Sequence, residues 1–152
     1  MTCFFIGHRF APETLKPILL KVVERHITYY GVTHFIVGQY GAFDHMAAGA
    51  VIEAKAWHPE VSLSLLLPYH PSKRPTEIPM GFDSTYYPEG METVPDRVAI
   101  KKANELMIQS CDYLICYNRN IIGNTRDLVA IAELRAKKGL LHITNLAECL
   151  NI

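Results

Sequence analysis

The chain has 152 residues, with 15 basic and 15 acidic side chains and a formal net charge of zero. Hydrophobic residues make up 49%, which suits one folded core and excludes a disordered chain. Zero net charge excludes a protein that grips nucleic acid mainly by bulk positive charge, and the four cysteines form neither a Cys-x-x-Cys pair nor a zinc-finger spacing.

In chain order, residues 3–6 are an apolar run that predicts a strand, ended by Gly7-His8-Arg9. The run is far too short to span a membrane. No signal peptide is evident, so reduced thiols and a cytoplasmic location are expected. A helix is predicted over 13–30, where Leu15, Ile18, Leu19, Val22, Val23, His26, Ile27 and Tyr30 recur at helical spacing. Gly31 suits its C-terminal stop. A second strand covers 34–37. It runs through Gly38 and Gly41 into a helix over 44–57, with Asp44 as the expected N-cap. A third strand, over 61–67, is apolar on both faces, as a buried parallel strand should be. The order β-α-β-α-β calls for right-handed crossovers and a parallel sheet.

Residues 68–95 break this rhythm. They hold six of the nine prolines, with Gly81, Gly90, Tyr69, Phe82, Tyr86 and Tyr87. So long a loop is functional or disordered, and its aromatics favour an ordered lid. A short strand is expected over 84–87. A helix over 96–110 and a strand over 113–117 follow. Gly123-Asn124-Thr125 opens a last long helix to about residue 138, which Gly139 stops. A strand over 140–144 and a helical turn from Asn145 end the chain. The expectation is one α/β domain over 1–152, with helices on both faces of a mostly parallel sheet of five to six strands.

Ligands of an open parallel sheet bind outside the carboxyl ends of the strands. Four polar or glycine-bearing segments fall there, led by Gly7, Gly38, Pro68 and Asn118. A strand that runs through glycines into a helix start offers unpartnered N–H groups and a positive dipole end to an anion. A phosphate at the second segment should meet the backbone of Gly41 and Ala42. Asp44 would then cap the helix or accept from ribose hydroxyls. Arg9 offers a planar, permanently charged fork for phosphate, or a salt bridge at the rim. His8 is expected to be a hydrogen-bonding turn residue. Asn124-Thr125 is a second phosphate cradle or ordinary capping. Arg97 and Asn104, seven apart, should share one helix face. Cys111 is expected in the core. No nucleophile–base pair, Gly-x-Ser-x-Gly or His-Glu-x-x-His appears, and no metal site is expected. Glu92 and Asp44 are the two carboxylates available for acid–base work.

The segments Gly7-His8-Arg9, Gly38 to Asp44, Leu66 to Pro71, Gly90 to Pro95 and Asn124-Thr125, in that order, resemble a small bacterial family of unknown function. That family is placed in the SLOG superfamily of three-layer Rossmann-like proteins. The superfamily includes the DNA-processing proteins of natural transformation and the lonely guy phosphoribohydrolases. The resemblance covers nearly the whole chain. It implies a nucleotide or nucleotide-derived ligand, of the NAD, ADP-ribose or nucleoside phosphate type, at the carboxyl ends of the strands, where the candidate ligand residues are Gly7, His8, Arg9, Gly38, Gly41, Ala42, Asp44, Pro68, Tyr69, Arg97, Asn124 and Thr125. The phosphoribohydrolase branch carries a Pro-Gly-Gly-x-Gly-Thr loop. Here Gly123-Asn124-Thr125 stands in its place, which counts against N-glycosidic hydrolysis.

Three readings follow. The first is a cytoplasmic binder or sensor of a nucleotide-type ligand, with no required cofactor. Its lid tyrosines would cover the base. The second is a hydrolase of a nucleotide N-glycosidic bond. The third is a protein-interaction module. A homodimer is a further expectation, and a nucleic-acid or membrane partner is not expected.

Overall fold

The computed structural model describes residues 1–149. Six strands form one sheet: β1 (Thr2–Gly7), β2 (His34–Val37), β3 (Ser62–Leu66), β4 (Ser84–Tyr86), β5 (Tyr113–Tyr117) and β6 (His142–Asn145). Their order is β4-β3-β2-β1-β5-β6, and every neighbouring pair is parallel. The expected mostly parallel sheet is therefore wholly parallel. Four longer helices cover it, α1 (Leu15–Thr28), α2 (Ala42–Lys55), α3 (Ala99–Ser110) and α4 (Asn124–Lys137), and a short α5 (Leu146–Cys149) follows β6. This is a three-layer, Rossmann-like α/β fold.

The two cores follow from the period of the strands. Successive side chains point to opposite faces. Cys3 and Phe5 of β1 join Phe35, Leu63 and Ile115 in a core closed by α1, α2 and α5. Phe4 and Ile6 join Ile36, Leu114 and Cys116 in a second core under α3 and α4. Cys111 lies in that second core, fully buried. The near-continuous apolar strands are needed because both faces are covered.

Several boundaries differ from expectation. The second helix begins at Ala42, not Asp44, because extended Gly41 (φ −177°, ψ 175°) is its N-cap. The first helix is shorter than its apolar stripe, Leu15–Thr28. The stretch expected as one helix over 96–110 is split. Asp96–Val98 forms a 3-10 turn after extended Pro95, and α3 starts at Ala99.

Residues 68–95 are tied to the sheet. β4 pairs with the edge of β3. Asp83 Oδ2 accepts from the Leu63 N–H at 2.8 Å and from Lys55 Nζ at 2.7 Å. Lys55 also donates to the Gly81 carbonyl at 2.8 Å. Met91 is buried in the second core. Among the described residues no helix is long and apolar enough to cross a membrane.

Candidate functional site

The strand order places one special point in the sheet. From β1 the chain moves outward through β2 and β3 to β4, then returns to the other side of β1 to build β5 and β6. Connections leaving β1 and β5 therefore run to opposite faces and leave a crevice between their carboxyl ends. A cavity of about 310 Å³ lies there. Gly7, His8 and Arg9 come to it from β1, and Tyr40, Gly41 and Asp44 from the turn into α2. Asn120, Gly123, Asn124 and Thr125 come from the loop after β5, and Asn104 from α3.

The β1 end and the start of α2 are clamped together. The Ala42 N–H donates to the Arg9 carbonyl at 2.8 Å. A Cβ on Gly41 would stand 2.9 Å from Arg9 Cα, and one on Gly7 would stand 2.4 Å from the Phe43 ring. Both glycines thus allow close approach of chain to chain. The expected phosphate cradle on Gly41 and Ala42 is altered by this contact, since the Ala42 donor is already engaged.

Asp44 adds to that effect. It is the third residue of α2, and its Oδ2 reaches back to accept at 3.1 Å from the N–H of Tyr40, the residue before the Gly41 N-cap. The helix pole is therefore already served by a carboxylate. Burial pushes the Asp44 carboxyl up from its usual 3.8 to about 6, and the Tyr40 hydrogen bond offsets this in part. A carboxyl held this way is suited to accept from hydroxyls, or to exchange a proton near neutral pH.

The opposite wall is the start of α4, whose first turn carries one acidic residue, Asp127. Gly123 caps α4 with φ 121° and ψ 176° and no side-chain cap. The first N–H groups of a helix lack intrahelical partners, and Asn124 and Thr125 line the crevice. Thr125 Oγ1 donates to the Gly7 carbonyl at 3.3 Å, which holds α4 against β1. His8 is a clip between the same two loops. Its Nε2 accepts from the Arg119 N–H at 2.8 Å, so its proton sits on Nδ1. Burial, then the nearby Arg119 charge, lowers its pKa and keeps it neutral. Arg9 is exposed on the lip.

Other expected site residues lie elsewhere. Gly38 and Ala42 line a broader groove of about 960 Å³ along α2, which shares Gly41 and Asp44 with the crevice. Pro68, Tyr69 and Glu92 line a separate cavity of about 270 Å³. There the Tyr69 hydroxyl donates to the Asp96 carbonyl at 3.3 Å, and Arg74 lies 3.6 Å over its ring. The lid aromatics do not line the crevice. Arg97 lines none of these cavities, because it belongs to the 3-10 turn and does not share the α3 face of Asn104.

Sequence reasoning missed Tyr40, Asn120 and Ile122. One signal was legible, the adjacent apolar pair Ile121-Ile122, which the structure leaves 91% and 79% exposed. An apolar pair in a loop between strand and helix has no core to enter. Among the described residues, no three His, Cys, Asp or Glu side chains form a group able to hold a metal ion. Burial pushes the Cys111 and Cys116 thiols up to about 12, so neither is a ready nucleophile. Compared with protein-family models and with curated proteins, the chain has no match.

Proposed function

We propose that the chain binds a nucleotide or nucleotide-derived ligand in the crevice between β1 and β5, as a sensor or binder and as a member of the SLOG superfamily. The observation that carries this reading is the pairing of two unlike walls in one cavity. The uncapped start of α4 offers backbone donors and a positive pole to phosphate. Asp44, on the other wall, offers an acceptor for ribose hydroxyls. Phosphate goes to Asn124 and Thr125 rather than to Ala42, whose N–H is engaged. Arg9 adds charge from the lip, and Ile122 flanks the base. A cytoplasmic location and a homodimer belong to the same proposal.

A thermal-shift screen of the purified protein against AMP, ADP, NAD and ADP-ribose tests it. A ligand at a hundred times its dissociation constant adds about 2.7 kcal/mol. The shift should shrink in Thr125→Ala and Asp44→Asn. No shift with any of these ligands refutes the reading.

A second reading rests on Asp44 alone. A carboxyl poised near pH 6 fits an enzyme that orients water or stabilises a ribosyl cation during N-glycosidic cleavage. It predicts release of free base from a nucleotide, lost in Asp44→Asn and kept in Glu92→Gln, since Glu92 lines another cavity. Absence of base release from the whole nucleotide panel removes this second reading and leaves the first.

A further inference from the structure

The groove along α2, of about 960 Å³, is larger than the crevice. One of its walls is a single face of α2. Asp44, Ala48 and Ile52 are four apart and line it in a row. At 1.5 Å per residue the row is about 12 Å long. Leu65 of β3 lines the groove as well, and so do Met80 and Phe82. The row ends at Ile52, because Gly81 packs there so tightly that a Cβ on it would stand 2.6 Å from Ile52 Cδ1. Ala48 contributes only a methyl group, so the middle of the row is open.

Asp44 begins that row with an oxygen the protein does not use. Its Oδ2 accepts from the Tyr40 N–H at 3.1 Å. Its Oδ1 has no hydrogen-bond partner among the described residues and stays open to solvent. No cation is paired with it. Lys16 lines the groove but is held by Glu13 at 2.7 Å, and Lys55, further along α2, is held by Asp83 at 2.7 Å. Asp44 and Glu53, which also lines the groove, form no salt bridge among the described residues. Burial and a single hydrogen bond set the raised pKa of Asp44, and no neighbouring charge contributes. Carboxylates taken out of water are normally paired or fully hydrogen-bonded. The groove is thus apolar along its row and negative, without a counter-charge, at its head.

We propose that this groove binds a small organic cation, a primary ammonium on an apolar body no longer than about 12 Å. The ammonium donates to Asp44 Oδ1, and the body lies over Ala48 against Leu65 and Phe82. Met80, 95% exposed, has no core to enter, and its flexible thioether chain covers the body. Charge selects the amine. An alcohol of the same shape donates to Asp44 but leaves its charge uncompensated, and a carboxylate is repelled. The groove shares only Gly41 and Asp44 with the crevice, and the proposal does not rest on the nucleotide reading.

The test compares three probes with one carbon body, phenylbutylamine, phenylbutanol and phenylbutyrate, by titration calorimetry on the full chain at neutral pH. The amine should bind at least about tenfold tighter than the alcohol, and the acid should not bind. Asp44→Asn should bring the amine down to the affinity of the alcohol and leave the alcohol unchanged. Ala48→Met fills the row and should weaken both by at least about tenfold, with a melting temperature that shows the variant folded. Thr125→Ala, which lies outside the groove, should leave the amine unchanged while it weakens a nucleotide, so the two sites fail separately. Equal affinities for amine and alcohol in the parent, or no binding of the amine at millimolar concentration, overturn the proposal and leave the crevice reading intact. An amine affinity that survives Asp44→Asn, or that folded Ala48→Met does not move, also overturns it, because the probe would then sit elsewhere on the surface.

Discussion

Replacing Asp44 by asparagine should make the protein more stable at neutral pH. The carboxyl titrates at about 6 in the fold against a usual 3.8. Below pH 3.8 it is protonated in both folded and unfolded chains and has no effect. Between 3.8 and 6 the unfolded chain ionises first. Above 6 the fold must hold a buried charge, and the full cost is present. At about 1.36 kcal/mol per pKa unit the rise corresponds to about 3 kcal/mol. Asp44 is only partly buried, so solvent reduces this to about 1–2 kcal/mol. Asparagine keeps an acceptor for the Tyr40 N–H and carries no charge. Urea unfolding of parent and variant at pH 4, 5, 6, 7 and 8 should show a gap that is near zero at pH 4 and reaches about 1–2 kcal/mol at pH 8 in favour of the variant. A variant that is less stable at pH 8, or a gap that does not change with pH, refutes the argument.

Three further outcomes are expected. Gly41→Ala places a Cβ 2.9 Å from Arg9 Cα. Backbone must yield, so the variant should lose about 1–3 kcal/mol in chemical unfolding; an unchanged midpoint contradicts the clamp between β1 and α2. His26 is buried, its Nδ1 donates to the Val22 carbonyl at 2.7 Å, and its Nε2 has no partner among the described residues. Burial lowers its pKa below 6.5, so the unfolded chain takes up the proton first and stability falls as pH drops through 6.5. His26→Phe should flatten that fall between pH 7 and 5, and an identical slope in parent and variant rules the explanation out. Lys55→Met removes the tie to Gly81 and Asp83. Limited proteolysis should then cut faster near residues 79–83, with about 1 kcal/mol lost overall; an unaltered cleavage rate shows that β4 holds the segment alone.

Strand, helix and layer order were legible from the chain, because each rests on local periodicity. The apolar strands at Phe4, Phe35 and Leu63 and the helical stripe from Leu15 to Ile27 bury themselves however the elements are arranged in space. The loops at the carboxyl ends were legible for the same reason, since alternation of strand and helix forces a parallel sheet. Which loops meet was decided by tertiary structure alone. Gly7, Asp44 and Thr125 share a cavity because β5 sits beside β1, and no local pattern records that neighbour. Tyr69 and Glu92 lie apart because the segment after β3 starts two strands from β1, about 10 Å at the usual strand spacing. Asp44 shows the same division on a smaller scale. Its residue type marked a helix start. Its place as third residue, its burial and its raised pKa depend on Gly41 fitting against Arg9, a contact between segments more than thirty positions apart in the chain.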